Sequence, residues 1–127
     1  MENLKALIDV VVAEAEQLHF ARDSQSKLRL ATEEVLVNII SYAYPEQSGD
    51  VTVSTDRIPE NAGLRVEISD AGVPFDPLSI PTPDVHVPIE KRHIGGLGIF
   101  LLRENMSDVT YRRINGRNTL SFVKYGA

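Results

Sequence analysis

The sequence predicts an α+β fold: a two-layer α/β sandwich in which helices cover one face of a mixed or antiparallel sheet. Two patterns support this expectation. Apolar residues recur at helical spacing over the first third of the chain, and apolar and polar residues alternate in two later pairs of segments. Because the helical and alternating segments are largely separated along the chain, the pattern favours α+β over a parallel α/β fold.

The composition predicts one globular domain that spans residues 1–127. Its net charge of −5 argues against a dedicated nucleic-acid-binding protein, and its apolar runs fall short of the ~20 residues that a membrane span requires. The start lacks the basic and apolar regions of a signal peptide. The absence of cysteine excludes disulfides and thiolate metal sites. We therefore expect a cytoplasmic domain with no direct nucleic-acid contact and no membrane contact.

Two helices are predicted in the first third of the chain. Apolar residues form a single stripe from about residue 2 to residue 18, which is typical of a helix packed on one side. Asp23 and Ser24 are the candidate N-cap residues of the second helix, which runs to about Tyr42. The second helix is apolar around much of its circumference, so we expect it to be buried. A charge inside it, at Glu34, is then unusual.

The middle of the chain predicts an antiparallel strand pair followed by a long loop. Apolar and polar residues alternate over residues 51–56 and again over residues 64–69, with a turn at residues 59–63. Residues 74–93 hold five of the seven prolines and show no apolar period. A stretch of this length inside a compact domain is typically a functional lid or a disordered insert.

The last third predicts a short helix and a β-hairpin. The helix covers about residues 96–104, and the two strands lie near residues 108–114 and 117–125. Asn115 and Gly116 join the strands, and this dipeptide is a strong signal for a type I′ turn. The expected order of elements is therefore two helices, two strands, a lid, a helix and two strands.

Glu34 and Asn38 are four residues apart, which places both side chains on one face of the second helix. The amide oxygen of Asn38 is a hard ligand suited to Mg²⁺, and Glu34 can take a proton from an attacking hydroxyl group or water. Partial burial would raise the pKa of Glu34 towards a useful range. The same spacing also fits two polar residues on the solvent side of a helix. Glu33 points about 100° away and is predicted to be a solvated charge.

Asp70 follows the second alternating segment and is separated from Gly72 by one small residue. This is ordinary turn chemistry. Alternatively, the Asp70 carboxylate accepts a hydrogen bond from the exocyclic amino group of adenine, and Gly72 lets a flat ring approach the backbone. Such an acceptor selects adenine over guanine, because guanine presents a carbonyl group at that ring position, and a buried mismatch costs about 1–3 kcal/mol.

A glycine run, Gly95-Gly96-Leu97-Gly98, leads into the predicted third helix. Open backbone N–H groups at the positive end of a helix dipole can bind phosphates. The P-loop and dinucleotide-binding patterns are both incomplete here. A tight turn with close helix packing is the equally open alternative.

Taken together, the motifs resemble those of the GHKL ATPase/kinase superfamily, which is named for gyrase, a heat-shock chaperone, histidine kinases and MutL. Within it, the chain is most similar to anti-sigma-factor serine/threonine kinases of the RsbW and SpoIIAB type, over about residues 4–124. One departure is Pro74, where the wider superfamily often has a second glycine. The resemblance rests on the order of five features: Glu34 with Asn38, Asp70 with Gly72, a variable lid, the glycine run, and the late Thr119.

The resemblance implies a Bergerat-type ATP-binding fold with an ATP lid at about residues 75–93. It implies that Glu34 is the general base, that Asn38 is the Mg²⁺ ligand and a nucleotide contact, and that Asp70 is the adenine acceptor. The other nucleotide-binding residues that it implies are Gly72 beneath the ring, Gly95, Gly96, Leu97 and Gly98 at the phosphates, and Thr119 beside the adenine pocket.

The function implied by the resemblance is that of an ATP- and Mg²⁺-dependent serine/threonine protein kinase acting as an anti-sigma factor. Such a kinase phosphorylates a STAS-domain anti-anti-sigma protein in a partner switch. The unmodified antagonist occupies the kinase and leaves a sigma factor free, and phosphorylation releases the antagonist so that the sigma factor is captured again. We expect the N-terminal strand that can help relatives to form a homodimer to be short or missing here, so the homodimer stays open. A non-catalytic nucleotide-binding module that sequesters a regulatory partner is the alternative function.

Overall fold

The computed structural model describes residues 4–40, 50–59, 62–76, 78 and 102–125. The described strands form one antiparallel sheet in the order β1-β2-β4-β3, so the predicted α+β class is confirmed. The elements are α1 (Leu4–Gln17), α2 (Arg22–Asn38), β1 (Val51–Ile58), β2 (Gly63–Asp70), β3 (Ser107–Ile114) and β4 (Arg117–Lys124).

The start of α2 differs from the sequence-based prediction. The helix begins at Arg22, and Ala21 takes the N-cap position without a side-chain hydrogen bond, so neither Asp23 nor Ser24 is the N-cap. Asp23 instead lies in the first turn, where its negative charge is favourable at the positive end of the helix dipole. It also forms an ion pair with Lys27, one turn later, at 2.9 Å.

The end of α2 carries the first candidate motif. The helix ends at Asn38, and residues 39–40 continue with π-helical hydrogen bonding. Ile39 is 3% exposed and belongs to the hydrophobic core, so this continuation stays packed. The predicted end near Tyr42 lies outside the described residues.

The hydrophobic core lies between the two helices and one face of the sheet. The inward residues alternate along the strands as the period of a β-strand requires. Phe122 is the largest of the fully buried side chains. The main contributors are Ile8, Val11 and Ala15 from α1; Leu28, Ala31, Val35 and Leu36 from α2; and Leu64, Val66, Ile68, Leu120 and Phe122 from the sheet.

The β3–β4 hairpin turns at the predicted dipeptide. Asn115 and Gly116 have φ angles of 51° and 76°, and a type I′ turn requires positive values at both positions, so this prediction is confirmed. Because β2 pairs with β4, the register places Asp70 opposite Asn118. The hairpin therefore meets the end of β2 where the second candidate motif begins.

The predicted lid and third helix fall mostly outside the described residues. Only residues 75, 76 and 78 of the lid segment are described, and residues 102–105 form the described part of the helix. Leu102 and Met106, at its end, are buried in the core. None of the described helices is long and apolar enough to cross a bilayer.

We predict that Phe122→Ala lowers the free energy of unfolding by about 3–5 kcal/mol, because it removes a fully buried aromatic ring and leaves a cavity. Urea titration followed by circular dichroism measures the change. Ser121→Ala is the matched control, since the adjacent side chain points to the other face, and it should change stability by no more than about 0.5 kcal/mol. Equal losses for the two variants would contradict the described packing.

Candidate functional site

Glu34 and Asn38 are in contact on α2. The Nδ2 of Asn38 donates to the backbone carbonyl of Glu34 at 2.8 Å and to Glu34 Oε1 at 3.2 Å. Asn38 is only 2% exposed, whereas Glu34 is half-buried. The helix therefore brings the two side chains together as the sequence spacing predicts, with the amide inside and the carboxylate at the boundary with solvent.

The environment of Glu34 suits proton transfer. Burial raises the pKa of Glu34, the hydrogen bond from Asn38 lowers it by a smaller amount, and the neighbouring charge of Glu33 raises it again. A carboxylate with a raised pKa is a better proton acceptor near neutral pH than an ordinary glutamate. Glu33 itself is exposed, as predicted.

Asn38 also offers an oxygen that suits a metal ion. Both hydrogen bonds of the Asn38 side chain are donated by Nδ2, and none of the described residues donates to Oδ1. An amide oxygen of this kind fits Mg²⁺, which commonly takes few protein ligands and completes its shell with phosphates and water. Within the described ranges, no group of three His, Asp or Glu side chains forms a metal site of its own. The residues present thus fit a metal that arrives with a nucleotide.

Asp70 is the buried acceptor at the end of β2. It is 1% exposed, and its Oδ1 accepts from the backbone N–H of Gly72 and from Asn118 Nδ2, both at 2.9 Å. The first of these contacts is the turn chemistry that the sequence suggests. The second is a long-range contact that fixes the carboxylate from the neighbouring strand.

Asn118 is the main site residue that sequence reasoning missed. Besides Asp70, its Nδ2 donates to the carbonyl of Val73 at 2.8 Å. Its Oδ1 accepts from the N–H of Phe75 at 3.1 Å and from the hydroxyl of Tyr111 at 2.5 Å. The amide thus uses both donors and both acceptor sites, at 4% exposure. Asn118 therefore ties the loop after β2 to both strands of the hairpin.

Thr119, the residue that the resemblance assigns to the adenine pocket, lies on the other face of the sheet. Successive side chains of a strand point to opposite faces, so Thr119 cannot share the inward side of Asn118. It lines an open groove of about 440 Å³ on the outer face, together with Arg65, Arg112 and Arg117. In this structure Asn118, and not Thr119, is the β4 side chain beside Asp70, and the role that the resemblance assigns to Thr119 stays a prediction.

Two arginines of the hairpin bind the end of β2 and the loop that follows it. Arg113 donates to the carbonyl of Gly72 at 2.8 Å, and Arg117 donates through Nε to Ser69 Oγ at 2.7 Å. Gly72 is buried, and both its N–H and its carbonyl group are engaged. The backbone that would lie beneath a flat ring is thus fixed by side chains from two other positions.

A small cavity lies beside Asp70 and Asn118. Its volume is about 10 Å³, which is room for about one water molecule. Val35 of α2 and Ile39, the residue after its end, line the cavity together with Asp70 and Asn118. Neither Glu34 nor Asn38 lines this cavity, so it is the core-facing side of α2 that lies against Asp70 here.

The glycine run lies outside the described residues. The predicted phosphate contacts of Gly95, Gly96, Leu97 and Gly98 therefore stay predictions, as do the roles assigned to Glu34, Asn38, Asp70 and Gly72.

Comparison with known proteins gives consistent results. A family model described as the histidine kinase-like ATPase domain matches residues 1–124. The chain is 29% identical to the serine-protein kinase RsbW of Bacillus cereus (strain G9842) over 115 residues, and 27% identical to that of Bacillus mycoides (strain KBAB4), also over 115 residues. Each match covers 87% of this chain and 70% of the relative.

One solved structure supports the fold. The histidine kinase domain of the blue-light activated histidine kinase from Erythrobacter litoralis EL346 aligns with a TM-score of 0.54 and 16% sequence identity. The match covers 80% of this chain and 44% of that one. At this identity, the likeness concerns the fold alone.

We predict that Glu34→Gln stabilises the protein over the wild type as the pH rises. A raised carboxyl pKa means that folding favours the protonated form, so the native state loses stability when Glu34 ionises. The two proteins should be equally stable below about pH 4.3, the ordinary pKa of glutamate, and diverge in favour of Gln towards pH 7.

Urea titrations from pH 4 to pH 8 measure this difference. Glu33→Gln is the matched control, because it removes one negative charge from an exposed position on the same helix. A gain for Glu34→Gln that is independent of pH would contradict the raised pKa.

Proposed function

Because the chain belongs to the histidine kinase-like ATPase domain family, we propose that it binds ATP with Mg²⁺ and phosphorylates a serine or threonine of a partner protein. The observation that carries the proposal is the Glu34–Asn38 pair. It combines a proton acceptor of raised pKa with an amide oxygen that no described residue engages. A protein that only bound nucleotide would need the amide oxygen for the metal ion but would not need the proton acceptor.

In the proposed reaction, the hydroxyl oxygen of the partner's serine or threonine attacks the γ-phosphorus of ATP. A new P–O bond forms to the partner, the bond from the γ-phosphorus to the β,γ-bridging oxygen breaks, and ADP leaves with that electron pair. The hydroxyl proton passes to Glu34. Its Oε2 has no hydrogen bond to the described part of the chain, whereas Oε1 is held by Asn38. The bond to Asn38 thus orients the carboxylate and leaves one oxygen for the proton.

Asn38 would hold the Mg²⁺ through Oδ1. When bound, the metal ion supplies charge neutralisation at the phosphates, which is the main chemical demand of phosphoryl transfer. The helix supplies the position, because the two bonds from Nδ2 fix the rotation of the amide and point Oδ1 away from Glu34.

The partners that we propose are a STAS-domain anti-anti-sigma protein as the substrate and a sigma factor as the competing ligand. The similarity to two RsbW serine-protein kinases supports this assignment. A sigma factor acts in the cytoplasm, so the proposal places the protein there. A nucleotide-binding module without transfer activity is the competing function, and the experiments below separate the two.

We predict that Glu34→Gln lowers phosphotransfer by about 10²–10⁴-fold, because the amide cannot accept the hydroxyl proton. Transfer of ³²P from labelled ATP to a STAS-domain substrate measures the rate, and calorimetry should give a nucleotide affinity close to that of the wild type. Glu33→Gln, the exposed neighbour, should retain the transfer rate. Equal rates for Glu34→Gln and the wild type would contradict the assigned base, and a wild type that binds ATP without transfer favours the non-catalytic module.

We also predict that Asn38→Ala reduces stabilisation by ATP and Mg²⁺. Ligand at ~100 times its Kd stabilises the wild type by about 2.7 kcal/mol, and the variant should show a smaller increase over its own unliganded state because the metal ligand is lost. Thermal unfolding with Mg²⁺ and with EDTA measures both values. An increase as large as that of the wild type, with the same dependence on Mg²⁺, would contradict the role of Asn38.

A further inference from the structure

The β3–β4 hairpin reaches into the site through Tyr111 and Asn118, and the sequence alone assigned neither residue a role there. We propose that these two are positioning residues that orient Asp70 to read the exocyclic amino group of adenine, so that the base preference is set from the hairpin. This inference rests on the proposed function, because it concerns how the same site selects its nucleotide.

The first argument is that Asn118 can adopt only one orientation. Its Oδ1 faces two donors, the N–H of Phe75 and the hydroxyl of Tyr111, and its Nδ2 faces two acceptors, Asp70 Oδ1 and the carbonyl of Val73. Rotating the amide by 180° would place donors against donors and acceptors against acceptors. At 4% exposure, water would not compensate for that loss. Asn118 therefore always presents an N–H to Asp70.

The second argument is that this contact fixes the plane of the Asp70 carboxylate. Two donors converge on its Oδ1 from different directions, Gly72 N–H along the chain and Asn118 Nδ2 across the sheet. Neither contacts Oδ2, and no residue in the described ranges donates to it. The carboxylate is thus held with one oxygen engaged by the protein and the other left to accept a hydrogen bond from a ligand.

The surroundings of this carboxylate give the remaining oxygen its selectivity. The small cavity beside it is lined mainly by apolar side chains, which cannot hydrogen-bond a ligand; they are Val35, Ile39, Ile68, Phe75 and Leu120. A ring whose nearest substituent is an amino group gains a hydrogen bond from the carboxylate. A ring that carries a carbonyl group or a hydrogen there leaves the carboxylate oxygen unpaired, and such a mismatch gives strong discrimination.

The third argument concerns Tyr111, which holds Asn118 from the far side. Its hydroxyl donates to Asn118 Oδ1 at 2.5 Å. Burial raises the pKa of Tyr111, so the hydroxyl keeps the proton that this bond requires. A chain of hydrogen bonds therefore runs from Tyr111 on β3, through Asn118 on β4, to Asp70 at the end of β2.

A smaller side chain at position 118 could not make both of the hydrogen bonds that the Asn118 amide group donates. A serine or threonine hydroxyl has one proton and could donate to Asp70 or to Val73, but not to both. The amide can hold the carboxylate and the loop backbone at once, so Asn118→Thr should loosen one of the two.

The test compares ATP with purine riboside triphosphate, which lacks the 6-amino group, by calorimetry in the presence of Mg²⁺. The wild type should bind ATP about 10–100-fold more tightly, as expected for a hydrogen bond to a charged acceptor. In Asn118→Leu, the ratio of the affinity for ATP to the affinity for purine riboside triphosphate should fall to near one. The affinity for purine riboside triphosphate itself should change less than threefold. Tyr111→Phe should lower the ratio several-fold. The control is Ser121→Ala, an outward residue of β4, which should keep the wild-type ratio.

The outcomes separate this inference from the proposed function. A variant that binds both nucleotides more weakly by the same factor keeps the wild-type ratio of the two affinities. That result would indicate a purely structural role for the substituted residue and overturn the inference. A wild type that binds both nucleotides equally would also overturn it, while ATP binding itself would stand. If the wild type bound neither nucleotide, both proposals would fail. If Asn118→Leu does not fold, Tyr111→Phe decides, because it removes a single hydroxyl group at a half-buried position.

Discussion

The antiparallel pairing of β2 with β4 is the constraint on which the rest of the site depends. Its register places Asp70 opposite Asn118, at the point where β2 leaves the sheet. Beyond that point the chain continues as a loop in which Gly72 is buried, and buried polar groups must be satisfied. Side chains of the hairpin supply the missing bonds, to Gly72, Val73 and Phe75. A loop that would otherwise be free to move becomes a fixed wall of the site.

Local chemistry explains what the sequence predicted well. The type I′ turn follows from Asn115 and Gly116, which tolerate positive φ angles, and the strands follow from a period of two. The contact between Glu34 and Asn38 follows from helix geometry, because residues four apart share a face. Each of these features depends on a few neighbouring residues, so the sequence carries it without knowledge of the tertiary structure.

Features that depend on long-range register were harder to predict. Thr119 and Asn118 are neighbours, but a shift of one position moves a side chain to the opposite face of the sheet. The signal was present, since the apolar Leu120 and Phe122 point inward and Asn118 has the same parity. Its partners could not be inferred, because Asp70 lies 48 residues away in sequence and only the strand pairing brings it near. The prediction of the α2 N-cap was wrong for a local reason, because Ala21 has no side chain that could cap the helix and so mark its start.

The two halves of the site, Glu34 with Asn38 and Asp70 with Asn118, use their side-chain oxygens in the same way. Glu34 and Asp70 each have one carboxylate oxygen held by an asparagine and one that no described residue engages. Asn38 directs its Nδ2 to Glu34, and no described residue engages its Oδ1. Among the described residues, no buried side-chain nitrogen or oxygen atom lacks a hydrogen-bond partner, so these oxygens carry no desolvation penalty in the free protein. A ligand that brings an amino group, a metal ion and a hydroxyl proton would supply a partner for each of the three oxygens. The arrangement therefore determines which chemical groups are bound without lowering the stability of the free protein.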